Sequence, residues 1–168
     1  YEVVKIGQQI WMAENFNYNS NLVSDSTTSW YYDNDSAQYA EQYGRLYTWY
    51  VATSADFAPE GWTVPSEDEW TTLGNTIGGT DTEVADALRI GGGSGFEAAM
   101  GGFRRESGDY QFGESDNESG GFFWSNTDGF AFDRAGSAVV ESDINSDGRY
   151  DFTPVNKGEG VSIRFLKK

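Results

Sequence analysis

A run of oxygen-bearing side chains in the C-terminal part of the chain has the spacing of a calcium-binding loop. Asp143, Asn145 and Asp147 stand at alternate positions, and Gly148 follows at the sixth position of the pattern. In loops of this kind the alternating side chains coordinate the ion and the glycine permits a sharp turn. Asp151 stands at the ninth position, where a carboxylate binds directly or through water. The spacing predicts a Ca2+ site.

The end of this segment departs from the helix–loop–helix type of calcium site. Arg149 would contribute its backbone carbonyl, but Pro154 occupies the twelfth position, where a bidentate glutamate is usual. No amphipathic helix is expected on either side. We therefore predict a calcium loop of another type, completed by an acid from elsewhere in the chain. The alternative is an acidic turn without metal, because Asp, Asn and Gly are also common turn residues.

Two further groups of oxygen-bearing side chains are candidate sites. Asp33 and Asp35 flank an asparagine, which predicts either a second calcium site or an Asx turn. The second group is a glycine-flanked acidic segment, which we interpret as a ligand-binding metal site with open positions or, alternatively, as a solvated loop. It comprises Glu114, Asp116, Asn117 and Glu118. An ion with open positions attracts an anionic ligand even on an acidic protein, because the metal sets the local field.

The composition restricts the classes of function. The chain of 168 residues carries 27 acidic and 11 basic residues, a net charge of -16, and neither histidine nor cysteine. The negative charge disfavours nucleic acid and anionic membranes as partners. Without His and Cys, the usual zinc, haem and iron–sulfur sites and Ser-His-Asp catalysis lack their residues. We predict a monomeric, non-enzymatic domain that neither binds nucleic acid nor inserts into a membrane, with calcium as its cofactor.

The elements that must position these residues are predicted from caps and periodicity. Ser66 with Glu69, and Thr80 with Glu83, form two capping boxes that predict two consecutive helices. Before these helices, the sequence predicts a strand or hairpin over 1–12, a long loop over 13–37, and a strand or short helix over 44–51. After residue 95 it predicts short antiparallel strands, separated by acidic loops over 113–120 and 141–151. Aromatic residues are 16% of the chain, which favours a core of large rings. The prediction is a single α+β domain over residues 1–168.

Several strings of the sequence together resemble a known family. They are QIWMAEN at residues 9–15, YGRLYTW at 43–49, GWTVPS at 61–66 with Glu69-Trp70, and FWSN at 123–126. In this order they resemble the Fibrobacter succinogenes major paralogous domain family over nearly the whole chain, from Val3 to Lys167. The resemblance implies a module of secreted or cell-surface bacterial proteins with a C-type-lectin-like fold, whose irregular loops carry the ligand site. Such domains are similar to the heads of long calcium-dependent adhesins.

The resemblance also implies a function. It suggests an adhesin head in cell adhesion and biofilms that uses calcium to grip a peptide or protein on another cell, with a C-terminal carboxylate as a natural ligand group. Asn126 and Asp128 join the ligand-binding candidates because lectin-like folds bind ligand near this stretch. A calcium-dependent lectin and a structural spacer are the alternatives. The Glu-Pro-Asn triplet that selects sugars in C-type lectins is missing, which weakens the case for the lectin alternative.

The chain departs from the family at positions where members often carry cysteines. Ala40, Ala58 and Phe165 occupy these positions. We expect calcium and aromatic packing to hold the long loop in place of a disulfide.

Overall fold

The structure is a computed structural model that describes residues 1–18, 28–113, 118–143 and 146–168. Its α-helices are α1 (Ser36–Tyr43), α2 (Trp49–Ala52), α3 (Glu67–Ile77) and α4 (Asp81–Leu88), and a 3-10 turn covers Tyr32–Asn34. Its strands are β1 (Val3–Ile6), β2 (Gln9–Met12), β3 (Ser29–Trp30), β4 (Leu46–Tyr47), β5 (Trp62–Thr63), β6 (Gly101–Arg104), β7 (Tyr110–Gly113), β8 (Glu118–Ala131), β9 (Arg134–Asp143), β10 (Ser146–Asn156) and β11 (Leu166–Lys167). The predicted α+β class is confirmed.

The two capping boxes form as the sequence predicts. Ser66 Oγ accepts a hydrogen bond from Glu69 N, and the Glu69 carboxylate accepts one from Ser66 N. Thr80 and Glu83 repeat the arrangement at the start of α4. Each box satisfies backbone N–H groups that have no partner within the helix. The caps therefore fix where α3 and α4 begin.

The strands form a four-stranded and a five-stranded sheet. In the first, the order is β1-β2-β11-β5, so the C-terminal strand lies between the N-terminal hairpin and β5. The second has the order β10-β9-β8-β6-β7, and its long antiparallel core is β8-β9-β10. The pair β3-β4 forms a separate two-stranded ladder.

Two aromatic-rich clusters lie on opposite faces of the five-stranded sheet. The cluster under α3 and α4 contains Trp11 and Trp70, whose ring centroids are 4.7 Å apart, and Phe123 from β8. The other contains Trp124 from β8 and Phe165, whose ring packs edge-on to Phe16 at 4.9 Å. Because Phe165 is fully buried, the third of the cysteine positions of the family is filled here by a core ring.

Two of the predicted loops contain regular structure. The segment 13–37 includes β3, the 3-10 turn and the start of α1, while residues 19–27 lie outside the described residues. The acidic segment 141–151 is largely strand, because β9 runs to Asp143 and β10 resumes at Ser146. For the described residues the loop prediction was wrong, because β10 pairs with β9 in this segment despite its Asp residues, with a register shift between Ser146 and Arg149.

Candidate functional site

The strand register brings the two acidic segments to one end of the five-stranded sheet. Glu118, the first residue of β8, pairs with Asp143, the last residue of β9. Asp143 also pairs with Ser146, the first residue of β10. Paired residues of neighbouring strands lie about 5 Å apart. The backbones at the end of the first acidic segment and at the calcium-loop pattern are therefore neighbours, although 25 positions separate Glu118 from Asp143 in the sequence.

Several candidate residues cannot be placed in more detail. Glu114, Asp116, Asn117 and Asn145 lie outside the described residues, and the description does not extend to the side chains of Glu118, Asp143 and Asp147. Among the side chains that are described, no group of three or more acidic residues is close enough to hold a metal ion.

The last two residues of the calcium pattern lie within β10. Arg149 pairs with Glu141 and Asp151 with Val139. Asp151 is thus displaced four residues along the sheet from Asp143, about 13 Å at the rise of a strand. Direct calcium–oxygen bonds are only about 2.3–2.6 Å long. The structure consequently does not bring Asp151 to Asp143.

The charge of Asp151 is balanced within the strand. Its Oδ2 lies 2.6 Å from Arg149 Nη2, and its Oδ1 accepts a hydrogen bond of 2.7 Å from Phe152 N. Partial burial acts to raise the pKa of Asp151, but the hydrogen bonds from Arg149 and Phe152 hold it below its usual value. The bond to Asp151 raises the pKa of Arg149, and Glu141 adds to that effect from 3.5 Å. Arg149 therefore forms ion pairs with both Asp151 and Glu141 on the surface of the sheet.

The segment around Asp33 and Asp35 caps a helix. Asp35 Oδ1 accepts hydrogen bonds from Ala37 N at 3.0 Å and Gln38 N at 3.1 Å, so Asp35 is the N-cap of α1. Asp33 and Asn34 have left-handed φ values of 50° and 56°. Asp and Asn tolerate this conformation better than other non-glycine residues. The local structure matches the turn alternative, and one Asp35 oxygen is already occupied.

Asn126 and Asp128 lie far from the acidic segments. They follow the start of β8 by eight and ten residues, and Asp128 pairs with Ala135 instead of the Asp143 end of β9. At the rise of a strand, Glu118 and Asp128 are about 30 Å apart. Asn126 is held by the carbonyl groups of Val64 and Pro65. One ligand group on one ion cannot contact both ends of β8.

Asp128 has a structural partner. Its Oδ1 lies 2.7 Å from the Nζ of Lys157, whose side chain is only 8% exposed. That ammonium group also lies 4.6 Å from the centroid of the Trp49 ring. A buried ammonium needs a counter-charge, and the half-exposed Asp128 carboxylate supplies it.

Sequence reasoning missed two clefts and misjudged a third region. A cleft of about 470 Å³ has the fully buried Arg164 at its base, with Glu14, Glu41 and Glu97 in its walls. Burial lowers the pKa of Arg164 to about 9, against the opposing effect of Glu14 and Glu97. The Arg164 guanidinium donates to Asn15 and to main-chain carbonyls, which identifies it as a structural cation.

The second cleft, of about 530 Å³, lies on the face of the five-stranded sheet opposite α3 and α4. We call it the phenylalanine groove, after Phe103, Phe112 and Phe122 in its lining. The sequence contains no signal for it, because the three rings come from three strands. Arg105 and Arg134, which also line it, were not among the predicted site residues.

A third, smaller cleft of about 380 Å³ is lined by Trp62. Its polar lining is mostly neutral and includes Thr53, Ser54, Thr63 and Asn126. The aromatic composition predicts a core of large rings, but Trp62 is only half-buried.

The family model of the Fibrobacter succinogenes major domain matches residues 4–167. The chain therefore belongs to this family, as its motifs indicated. No curated protein and no solved structure matches the chain. In the described parts of the chain, no helix has the length and apolarity needed to cross a membrane.

Proposed function

We propose that this domain is a non-enzymatic, calcium-dependent binding module of a bacterial cell-surface adhesin. The ion would bind at the end of the five-stranded sheet where β8 begins and β9 turns into β10. The observation that supports this is the pairing of Asp143 with both Glu118 and Ser146. It makes neighbours of two acidic segments that are separate in the sequence. Because Pro154 leaves this loop without the twelfth-position glutamate, a further oxygen ligand has to come from outside it.

The chemistry of the ligand follows from the ion. A calcium ion with unfilled positions accepts carboxylate oxygens, so a peptide with a free C-terminal carboxylate is a suitable partner. Among the acidic residues of these two segments, the same carboxylate would be repelled in the absence of the metal. Binding should therefore require calcium. Each site must strip water from both partners, so affinity per site is modest and is raised on a cell surface by multivalency.

One observation favours a carbohydrate ligand as the second candidate. The cleft around Trp62 combines an indole with hydroxyl and amide side chains, which is the composition suited to stacking and hydrogen-bonding a sugar. Asn126, a predicted ligand-binding residue, is part of its lining. A structural spacer would bind neither class of ligand.

The test is to pan a random peptide library with free C-termini against the domain, once in calcium and once in EDTA. We expect a C-terminal consensus that is recovered only in calcium and lost when the selected peptide is amidated. Asp147→Ala should abolish recovery, whereas Asp56→Ala, at an exposed loop position, should leave it unchanged. Recovery of the same C-terminal consensus in EDTA would contradict the proposal. An empty library together with a positive glycan array would favour the carbohydrate ligand.

A further inference from the structure

The phenylalanine groove has an aromatic floor built from three strands. Phe103 of β6 stacks on Phe112 of β7 with centroids 5.9 Å apart, and Phe122 of β8 lies 4.9 Å from the first and 5.6 Å from the second. Phe122 is buried, whereas Phe103 and Phe112 are partly exposed. Val139 and Val155 extend the apolar surface. A volume of about 530 Å³ is within the range of small-ligand and peptide side-chain sites.

The backbone at Phe112, whose ring lines the groove, is strained. Phe112 has φ = 60°, a left-handed conformation that is a genuine outlier for a bulky residue. Across the ladder, Gly102 has φ = 58°, and a Cβ there would overlap the carbonyl oxygen of Gln111. Glycine at 102 thus lets β6 and β7 approach closely. Such strain persists only where the surroundings enforce it, and it is concentrated at binding sites.

Positive charge is gathered at the rim of this groove. Its lining includes Arg105, Arg134 and Arg149, three of the 11 basic residues in the chain. Arg149 is neutralised by Asp151 and Glu141. Arg105 and Arg134 are exposed, and neither forms an ion pair with an acidic side chain that the structure describes.

The backbone places these two arginines on either side of Glu159. Arg104 exchanges hydrogen bonds with Gly160, which brings Arg105 beside Glu159. Arg134 pairs with Asn156, whose carbonyl accepts a hydrogen bond from Glu159 N. Glu159 is partly buried, and burial raises the pKa of its carboxyl despite the nearby arginines. Two exposed arginines thus flank a single partly buried carboxylate in the lining at this end of the groove, and both guanidinium groups are accessible to a ligand carboxylate.

We propose that the phenylalanine groove is a second, calcium-independent docking site for a peptide segment in which an aromatic or aliphatic side chain adjoins aspartate or glutamate. The apolar side chain would lie on Phe103 and Phe112, and the carboxylate would contact Arg105 and Arg134, since guanidinium groups bind carboxylates bidentately. A peptide fits better than a sugar because, among the lining residues that the structure describes, only Thr153 and Asn156 have neutral polar side chains. This site does not depend on the proposed calcium site.

The test uses a fluorescent peptide of alternating Asp and Phe, acetylated and amidated at its ends, titrated in EDTA. These blocked ends and the chelator keep the outcome separate from the calcium-dependent proposal. We expect saturable binding of the Asp/Phe peptide and no binding of an Asp/Ser peptide of equal length. An unlabelled Lys/Phe peptide, which the net charge of -16 would attract elsewhere, should not displace it.

Variants assign the binding to the groove. Replacing both rim arginines, Arg105→Gln with Arg134→Gln, should weaken the Asp/Phe peptide roughly tenfold or more. Arg89→Gln, an exposed arginine outside the groove lining, is the matched control and should change nothing. Phe112→Asn should also weaken binding while preserving the fold, because asparagine accepts the left-handed backbone. Thermal unfolding checks that each variant is folded.

The proposal is overturned if the Asp/Phe peptide fails to bind at millimolar concentration, or if the Asp/Ser peptide binds equally well. Undiminished affinity in the double arginine variant would also overturn it. A sulfated oligosaccharide that binds where the Asp/Phe peptide does not would assign the groove to another class of ligand.

Discussion

Tyr150 shows how a single buried side chain ties the helices to the sheet. Its hydroxyl donates a hydrogen bond of 2.6 Å to the carbonyl of Trp70 in α3, and its ring lies against Gly74. A Cβ at Gly74 would lie 2.6 Å from that ring, so glycine in the middle of this helix is a packing requirement. Neither contact was predictable, because the sequence does not state which residues of β10 face α3.

Tyr150→Phe should change how stability depends on alkaline pH. Burial raises the pKa of the Tyr150 phenol well above its usual value of 10.0. The phenol is therefore protonated in the folded state at pH values where the unfolded chain has lost the proton. This contribution to stability is complete below about pH 10 and is lost as pH rises further. We expect the free energy of unfolding of the wild type to exceed that of the variant by about 1 kcal/mol at pH 8. This difference should shrink above pH 10.

Urea unfolding of both proteins between pH 8 and 11 measures this difference. Tyr47, whose pKa burial also raises, and Arg164 are present in both proteins, so their titrations cancel. A difference that stays constant across the range would contradict the assignment.

At the scale of elements, the sequence predicted what local signals specify. The capping boxes at Ser66 and Thr80 identified α3 and α4, because the two residues of a capping box are only three positions apart in the sequence. Helix α1 was missed, since its sequence SAQYAEQY lacks a continuous apolar stripe. Its stability comes instead from its cap and from Tyr39 stacked on Tyr43 at 5.3 Å. The Asp35 cap was visible in the sequence but was read only as a metal-ligand or turn signal.

Asp35 can be tested as a cap and as a metal ligand in one experiment. Asp35→Ala removes the acceptor for Ala37 N and Gln38 N and should lower the free energy of unfolding by about 1 kcal/mol. Asp35→Asn retains a capping side chain and should be nearly neutral. Both results should be the same in calcium and in EDTA. If the Asn variant is destabilised in calcium but not in EDTA, the carboxylate serves a metal ion.

At the scale of the whole molecule, long-range pairing decided what local patterns could not. The calcium pattern was predicted from residue types at 143–151, but the register of β9 and β10 separates Asp151 from Asp143. The register of β8 and β9 instead pairs Glu118 with Asp143. Such pairings are not encoded in neighbouring residues. The lectin-like fold and the calcium loops remain predictions. The family and the α+β class were predictable because motifs and caps are local.

A net charge of -16 makes stability depend on cations. Self-repulsion destabilises the compact state and is screened by salt. In EDTA we expect a rise from low to physiological NaCl to increase the melting temperature by a few degrees, equivalent to roughly 1 kcal/mol. Millimolar calcium should add a further increase that the same concentration of magnesium does not reproduce, because a specific site binds the folded state.

Scanning calorimetry at matched ionic strength separates the two effects. Asp147→Ala should retain the NaCl response and lose the calcium response. Identical responses to calcium and magnesium would indicate screening alone.

The position of β11 has a mechanical consequence. Val4 near the N-terminus and Leu166 near the C-terminus both pair with Trp11 of β2, so the two ends of the domain lie about 10 Å apart, two strand spacings. Because β1 and β11 run parallel on either side of β2, tension applied through the two ends would shear these short ladders first. The five-stranded sheet carries the paired acidic residues Glu118 and Asp143 and the phenylalanine groove. It is not part of the ladders that such tension would shear. Tension on the domain would thus strain the four-stranded sheet while the two proposed binding surfaces stay folded.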